Sequence, residues 1–513
     1  MKPDREHPEP DPYDREPRLP SARVLRRLRA RVLDPLRDVV LAGQDVRPTA
    51  YVPGSVLIGQ HDDSGIDTLR KVAAELGWRL TTSPEQGHQT RPWRRTTALQ
   101  IEPREGMVAS APDAWALLQH LRLVDSALAQ RACLNHVLTL SPYTESAPYT
   151  ESAPYTESAP YTESAPVAGY GVPGRGGRQP VAFVGRPPVR RPDVKRRPVV
   201  AILDSGCGEH PWLGTQAPIP PDPVVRTDVR IDGGLLGLDP NSGPEFLPDT
   251  VGPLDGILDA YAGHGTFSAG LVHQAAPDAD VVSWRILPAE GAMVEQDLLD
   301  ALDDLAELVR RARTGDPDGL DVDIVSLSVG YYHELPDDPK FDLPLWESLQ
   351  ALLKLGVVVV CAAGNDATSR PRFPAAFGPW DDGRGPITWD ASLAPLVSAG
   401  ALNPNGTCDA LFSNVGPWVR AHVHGAALVS TMPTTFQGGL QATAATQAFG
   451  RPRATIDPDD YSSGFGVWSG TSFAAPLLAG QLAAALMEAD RASADPVERA
   501  RTLVAEITGV VPE

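Results

Sequence analysis

The chain has 513 residues, 42% of them hydrophobic and 21% charged, the balance of a soluble globular protein with material for more than one core. Its formal net charge of −20 is uneven: the first 198 residues lean basic and the remainder carries the whole acidic excess, which excludes nucleic acid as the partner of that remainder. Cys133, Cys207, Cys361 and Cys408 are too scattered for a disulfide scaffold or a zinc site, no apolar run reaches the ~18 residues of a membrane span, and no signal-peptide pattern opens the chain, so a cytoplasmic location with free thiols is expected.

Residues 1–20 are rich in proline and charge and read as disordered. Ser21 to about Ala42 has the spacing of a basic amphipathic helix interrupted near Pro35, which leaves 1–49 as a tail plus a basic helix. Tyr51–Gly59 alternates like a strand, and Gly65–Gly77 places Leu69, Val72, Ala73 and Leu76 on one helical face. Trp78–Thr82 and Thr96–Glu102 are strand-like, Asp113–Arg122 is helical and His136–Leu140 is a short strand. The order β-α-β-β-α-β over residues 50–141 is that of a ferredoxin-like α+β sandwich.

Pro-Tyr-Thr-Glu-Ser-Ala then recurs over residues 142–165, with a proline every six residues and no apolar period. Together with the Gly- and Arg-rich stretch after it, this makes 142–197 an extended, disordered linker. From 198 to 513 strands alternate with helices. Val199–Leu203, Ala279–Ile286, Val322–Ser328 and Val357–Ala363 are short apolar strands, Val294–Arg313 and Leu345–Lys354 are amphipathic helices, and Phe473–Met487 is a long apolar helix. This pattern predicts an α/β fold, a parallel sheet with helices on both faces, whose functional groups gather at the carboxyl ends of the strands.

Four residues stand at such ends. Asp204 closes the first strand of this region, His264 lies in Gly263-His264-Gly265-Thr266-Phe267-Ser268-Ala269-Gly270, and Asn365 closes Cys361-Ala362-Ala363-Gly364-Asn365. Ser472, in Gly470-Thr471-Ser472, is expected as an exposed hydroxyl on a tight turn at the positive end of a helix dipole. Taken singly, each has an ordinary reading as a cap or packing residue. In this order, each at a sheet edge, they make the ordinary reading remote, and Ser472 has upstream the base and the orienting acid that a nucleophile needs.

Here the chain resembles the subtilisin-like serine peptidases, from about residue 198 to 490. The resemblance rests on Ala201–Gly206 with His210-Pro211, on Gly263–Gly270, and on Gly470-Thr471-Ser472-Phe473-Ala474-Ala475-Pro476. Ser326–Gly330, Ala362–Asn365, Phe373-Pro374-Ala375 and Phe412–Gly416 are further family-like segments. The resemblance implies a serine endopeptidase acting on proteins or peptides. Ser472 would attack, His264 would carry the proton, Asp204 would orient the imidazole, and Asn365 with the Ser472 N–H would bind the oxyanion. Ser328, Val329 and Gly330 would pair with extended substrate, and Ala362, Ala363 and Gly364 would line the primary specificity pocket.

No cofactor is expected. Only five residues separate Gly270 from Ala276, where calcium-dependent subtilases carry a longer loop, and no cluster of oxygen ligands or other metal site is recognisable. Phe267 stands where many members have a second histidine. Cys207 and Cys361 read as buried packing residues, and 212–259, 366–396 and 430–467 read as loop insertions. By its element order, residues 50–141 resemble a subtilase propeptide, which implies an intramolecular inhibitor with His136–Ser141 as the tail in the cleft. A permanent targeting or regulatory domain is the alternative. For the whole chain, the alternatives are a sedolisin-like acid peptidase and a non-catalytic subtilase-fold binding protein.

Overall fold

The computed structural model describes residues 14–41, 44–59, 62–82, 91–106, 110–140, 178–220, 222–335, 343–387, 390–488 and 495–510. The repeat at 142–165 therefore lies outside the described residues, as does Ser141.

Six elements build the front module: β1 (Ala50–Gly59), α2 (Asp63–Glu75), β2 (Trp78–Thr82), β3 (Thr96–Pro103), α3 (Ala114–Val124) and β4 (Ala132–Leu140), with a short helix α1 (Ala22–Arg27) ahead of them. The strands pair antiparallel in the order β4-β1-β3-β2, the ferredoxin-like arrangement expected. Ile66, Leu69, Val72 and Ala73 of α2 and Trp115, Leu118 and Leu121 of α3 bury one face of each helix against Val56, Ile58, Leu99 and Leu134 of the sheet. Both helices start on an aspartate cap: Asp62 accepts from the Gly65 N–H, and Asp113 from the Trp115 N–H.

The basic helix expected over 21–42 is much shorter. It stops at Arg27, Arg29 takes a left-handed φ of 51°, and Arg31–Val32 joins the sheet antiparallel to Tyr51 and Ala50. The open edge of β1 gives these backbone groups partners that a helix carrying Pro35 would lack. Leu36 and Val39, which complete the apolar helical stripe in the sequence, are exposed. The tail also has more order than its composition indicates. Residues 14–20 run beside Asn365–Ser369, held by Asp14 on Ser369, by the Arg15 N–H on the Ala367 carbonyl, and by Arg18 on Asp366 at 2.8 Å.

The body is a parallel sheet. Its strands are β5 (Val199–Asp204), β6 (Asp280–Arg285), β8 (Ile324–Leu327), β10 (Val358–Ala362), β11 (Leu396–Leu402) and β12 (Ala421–His424), in the order β12-β11-β10-β8-β5-β6, with Val225–Arg226 at the far edge. Most of these residues are buried, as a sheet covered on both faces requires. Helix α4 (His264–Ala275) packs against α7 (Thr471–Glu488), which is apolar on every face and crosses β8, β10 and β11. Helices α5 (Glu295–Arg313) and α6 (Leu343–Lys354) pack on each other, and α8 (Pro496–Thr508) packs on α7. No helix among the described residues is long and apolar enough to cross a membrane.

Composition assigns 178–197 to the linker, yet this stretch is fixed on the body. Gln179–Pro180 pairs with β14 (Phe465–Trp468), Arg191 and Arg197 hold Asp278, and Arg196 holds Asp321 and Asp323. An arginine-rich run reads as solvated until its acidic partners, 80 and more residues away, fold beside it.

The two units share a strand. Beyond its pairing with β1, β4 runs antiparallel to β7 (Ala292–Val294) on one side and β9 (Val329–Tyr332) on the other. In this register Thr139 faces both Ala292 and Gly330, and Leu140 faces Val329. Charge complements the pairing: Arg94 contacts Asp300 and Asp304, Arg95 contacts Asp303, and the Trp93 indole N–H donates to Asp304, all on α5. At the centre of the junction His136 is wholly buried, with Nδ1 2.6 Å from Glu295 and Nε2 2.9 Å from Glu334. Each ring nitrogen thus lies within hydrogen-bond distance of a buried carboxylate. Burial alone would raise the Glu334 carboxyl, but His333, His136 and Arg122 hold it well below the usual carboxylate range. His136→Ala would leave two carboxylates buried without the proton donor between them. The expected cost is about 3–5 kcal/mol, read as a lower urea midpoint of the full chain; an unchanged midpoint would refute this role.

Candidate active site

The site is assembled where α4 meets the end of β5. A side chain on Gly265 would begin 2.0 Å from the Gly206 carbonyl oxygen, so only glycine permits this approach. His264, the first residue of α4, thereby reaches Asp204, with Nδ1 2.7 Å from Oδ1. The carboxylate is itself fixed by the Ser205 N–H at 2.7 Å. Beneath them lies Glu245, fully buried, which accepts from the Ser205 hydroxyl at 2.6 Å, the Gly265 N–H at 3.1 Å and the Thr266 hydroxyl. Its carboxyl caps the positive end of α4 and ties β5 to it. Burial raises the Glu245 pKa, and the neighbouring Asp204 adds to the rise. Sequence reasoning missed this residue, because it stands in a stretch read as a loop insertion and shows no periodicity or motif.

Ser472 enters from α7. The helix begins two residues earlier than the sequence suggests, at Thr471, and the expected exposed hydroxyl is completely buried. The Ser472 carbonyl accepts from Ser328 Oγ at 3.1 Å, immediately before β9, and β9 in turn pairs with β4. Asn365 follows β10. Its Oδ1 accepts from the Thr471 N–H at 2.9 Å and hydroxyl at 2.8 Å, which turns the amide NH₂ the other way. The Thr471 hydroxyl in turn accepts from the Gly364 N–H at 3.0 Å. Asn414 holds the same turn, accepting from the Asp366 N–H and donating to the Ala363 carbonyl and Tyr332 hydroxyl. Its segment, 412–416, was legible as family-like, but this tethering role was not.

Among the buried polar atoms without a hydrogen-bond partner in the described residues are Ser472 Oγ, His264 Nε2 and Asn365 Nδ2, and Asp204 Oδ2 beside them is another. Phe473 and Trp468 wall the imidazole, with ring centroids 5.0 and 5.8 Å away. The other expected site residues converge here. Ser328 precedes β9, whose first residues are Val329 and Gly330, and Ala362 ends β10, the neighbour of β8, with Ala363 and Gly364 following it. A cavity of about 400 Å³ lies beside Asn365 and Asp366, bounded by Thr139, Leu140, Tyr261 and Arg18.

Of the groups able to hold a metal, His136, His333 and Glu334 bring one ligand atom each within 4.8 Å of one another. The Leu335 N–H donates to His333 Nδ1, however, and His136 Nδ1 is taken by Glu295, so hydrogen bonds already satisfy much of this set. Cys207 and Cys361 are buried, and burial pushes both thiols up.

Comparison with known proteins bears on the same region. The chain is 25% identical over 254 residues to the major intracellular serine protease of Bacillus subtilis (strain 168), covering 48% of this chain and 63% of the relative. It is 26% identical over 315 residues to the serine protease AprX of the same strain, covering 58% of this chain and 59% of that protein. The chain thus spans about three fifths of the length of these relatives. Fervidolysin from Fervidobacterium pennivorans, a keratinolytic enzyme related to subtilisin, superposes with a TM-score of 0.45 at 15% identity, over 89% of this chain and 57% of that one. The family model Peptidase_S8, the subtilase family, matches residues 195–508, more than half of the chain and all four of Asp204, His264, Asn365 and Ser472. On that match the chain belongs to the subtilase family.

Proposed function

We propose that this protein is a serine endopeptidase in which Ser472, His264 and Asp204 act as nucleophile, base and orienting acid, with Asn365 as oxyanion donor. The observation that carries the reading is the set of three unpartnered atoms. Each group is braced from behind, His264 by Asp204, Asn365 by Thr471 and Ser472 by its place in α7, while the reacting atom of each is left open. A peptide carbonyl among them gives all three a partner. Ser472 Oγ attacks the carbon as His264 Nε2 takes its proton, and the imidazolium so formed is stabilised by Asp204. Negative charge then develops on the carbonyl oxygen, where Asn365 Nδ2 and the Ser472 N–H meet it. That N–H lies in the first turn of α7 and has no intrahelical acceptor. His264 returns the proton to the leaving amine.

The front module over residues 50–141 is proposed as the inhibitor of this site, and 142–197 as its tether to the peptidase region 198–513. Support comes from β4, which lies between β7 and β9 as an extended peptide substrate would. A cytoplasmic location belongs to the same reading, supported by a relative whose name places it inside the cell.

Ser472→Ala is expected to abolish hydrolysis of unstructured casein and to keep the fold, since the lost hydroxyl has no partner. Asn365→Ala should lower kcat by about 10²–10³ with little change in KM, the size known for an oxyanion donor in subtilisin. Turnover near wild type in the first variant, or a pure KM effect in the second, would sink these roles. Activity should fall on acidification, because a protonated imidazole cannot accept the serine proton; an optimum at about pH 3–4 would favour the sedolisin-like reading. Cutting the full chain at a protease site inserted in the 142–165 repeat should leave activity low in concentrated solution and release it on dilution. Equal activity before cutting and after dilution would remove the inhibitory role.

A further inference from the structure

We propose that Arg372 makes the primary specificity pocket select an acidic side chain, so that the enzyme cuts after glutamate or aspartate. The inference rests on the serine-peptidase reading above and names the substrate class of that same site.

Arg372 is among the largest fully buried side chains of the protein, 1% exposed. It stands at the start of the short strand Arg372–Phe373, which pairs antiparallel with β9 and puts Arg372 opposite Tyr332. From there the side chain reaches between the segment expected to pair with substrate and the segment expected to line the pocket. Its Cδ is 2.7 Å from where a side chain on Gly364 would begin, and its Cζ is 2.9 Å from where one on Gly330 would begin. Both segments therefore carry glycine where the guanidinium passes, and the positive charge lies between them.

The hydrogen bonds of this group are incomplete. Nη2 donates to the Gly330 carbonyl at 3.2 Å and to the Thr139 carbonyl of β4 at 2.6 Å, while Nη1 has no partner among the described residues. The nearby carboxylate, Asp366, is engaged by the Tyr332 hydroxyl at 2.7 Å and by Arg18 at 2.8 Å. Burial lowers the Arg372 pKa from its usual value, yet an arginine keeps its charge at neutral pH. A buried cation whose only hydrogen-bond acceptors are carbonyls, with Asp366 acting on it through its field alone, is costly, and its cost falls when a ligand supplies a bonded carboxylate. One Nη2 hydrogen becomes free when β4 leaves, because Thr139 belongs to the front module. Nη1 and Nη2 then present the parallel fork that binds a carboxylate in bidentate fashion. An apolar side chain at this place would leave the fork unsatisfied, so the pocket discriminates against it.

The sequence agrees with that selectivity. From Ser126 to Thr144, a span that contains β4, there is no acidic residue, so a segment docked in the cleft offers no favoured bond. The repeat then supplies Thr-Glu-Ser four times, at Glu145, Glu151, Glu157 and Glu163.

The test uses the full chain, opened by a sequence-specific protease at a site inserted in the repeat and then diluted. It is given quenched peptides of sequence Pro-Tyr-Thr-Xaa-Ser-Ala with Xaa as Glu, Gln, Leu or Phe, and casein whose new termini are read by mass spectrometry, with the Ser472→Ala chain as control. The expected result is a kcat/KM for Glu about ten- to a hundredfold above that for Gln, as for a charged hydrogen-bonded pair, and casein cuts that follow acidic residues. Arg372→Met should bring the Glu-to-Gln ratio to near one, and Arg372→Lys should keep part of it. Ser472-dependent cleavage with no preference for Glu overturns this inference and leaves the peptidase reading standing. That result is readable from the unmodified pocket even if the Arg372 variants fail to fold. Absence of any Ser472-dependent cleavage overturns the peptidase reading, and this inference with it.

Discussion

The approach of α4 to β5 is the constraint on which the site depends. With no atom beyond Cα at Gly265, the helix backbone lies against Gly206, and this alone puts the His264 ring within hydrogen-bond distance of Asp204. A single methyl there would push the helix away by more than the tolerance of a 2.7 Å contact. Glu245 converts the proximity into a fixed geometry, since its carboxyl binds both Ser205 on the strand side and Gly265 and Thr266 on the helix side. Through Ser205, which also donates to Asp204, it ties the acid of the pair to the start of the helix that carries His264.

Ser472 and Asn365 are placed by the same economy. Thr471 is the first residue of α7, and it fixes Asn365 through backbone and hydroxyl donors while accepting from Gly364. One residue thus sets the angle between the start of α7 and the Asn365 amide. Under the proposed roles, the orienting contacts of His264 and Asn365 are made, while His264 Nε2, Asn365 Nδ2 and Ser472 Oγ are left open. Such an arrangement holds donors ready before charge develops, so little reorganisation is needed when it does.

What the sequence made legible follows from what kind of signal each feature leaves. Strand ends and glycine-rich helix starts are local patterns, so Asp204, His264, Asn365 and Ser472 could be found, and the apolar periods of β5, β8, β10 and α5 located the sheet. Glu245 and Arg372 could not, because each becomes functional only through contacts formed by folding, and in sequence each looks like surface charge. The stretch from Ser21 misled for the opposite reason: its helical period is real, but β1 offers an edge that competes for the backbone after Arg27. Residues 14–20 and 178–197 misled through composition, since proline and arginine suggest solvation until the acidic partners are known. The exposure expected of Ser472 failed because a helix start says nothing of what lies over it.

The charges joining the two units are nearly dry. Arg94 and its partners Asp300 and Asp304 are each at most 10% exposed, so salt screens them little, unlike surface pairs. Such contacts fix register more than they add affinity. They pin β4 so that Thr139, and no neighbour, faces Gly330. The sharing of β4 has a further consequence. It is at once a border strand of the front sheet and a central strand between β7 and β9, so parting the units bares a row of N–H and C=O groups on each. On the body, that row is a groove awaiting the next extended chain. On the front module it is an apolar edge, with Val137, Leu138 and Leu140 newly uncovered, the kind of surface that draws aggregation or degradation. Any parting of the two units therefore carries a cost on both sides, and that cost is set by a single strand.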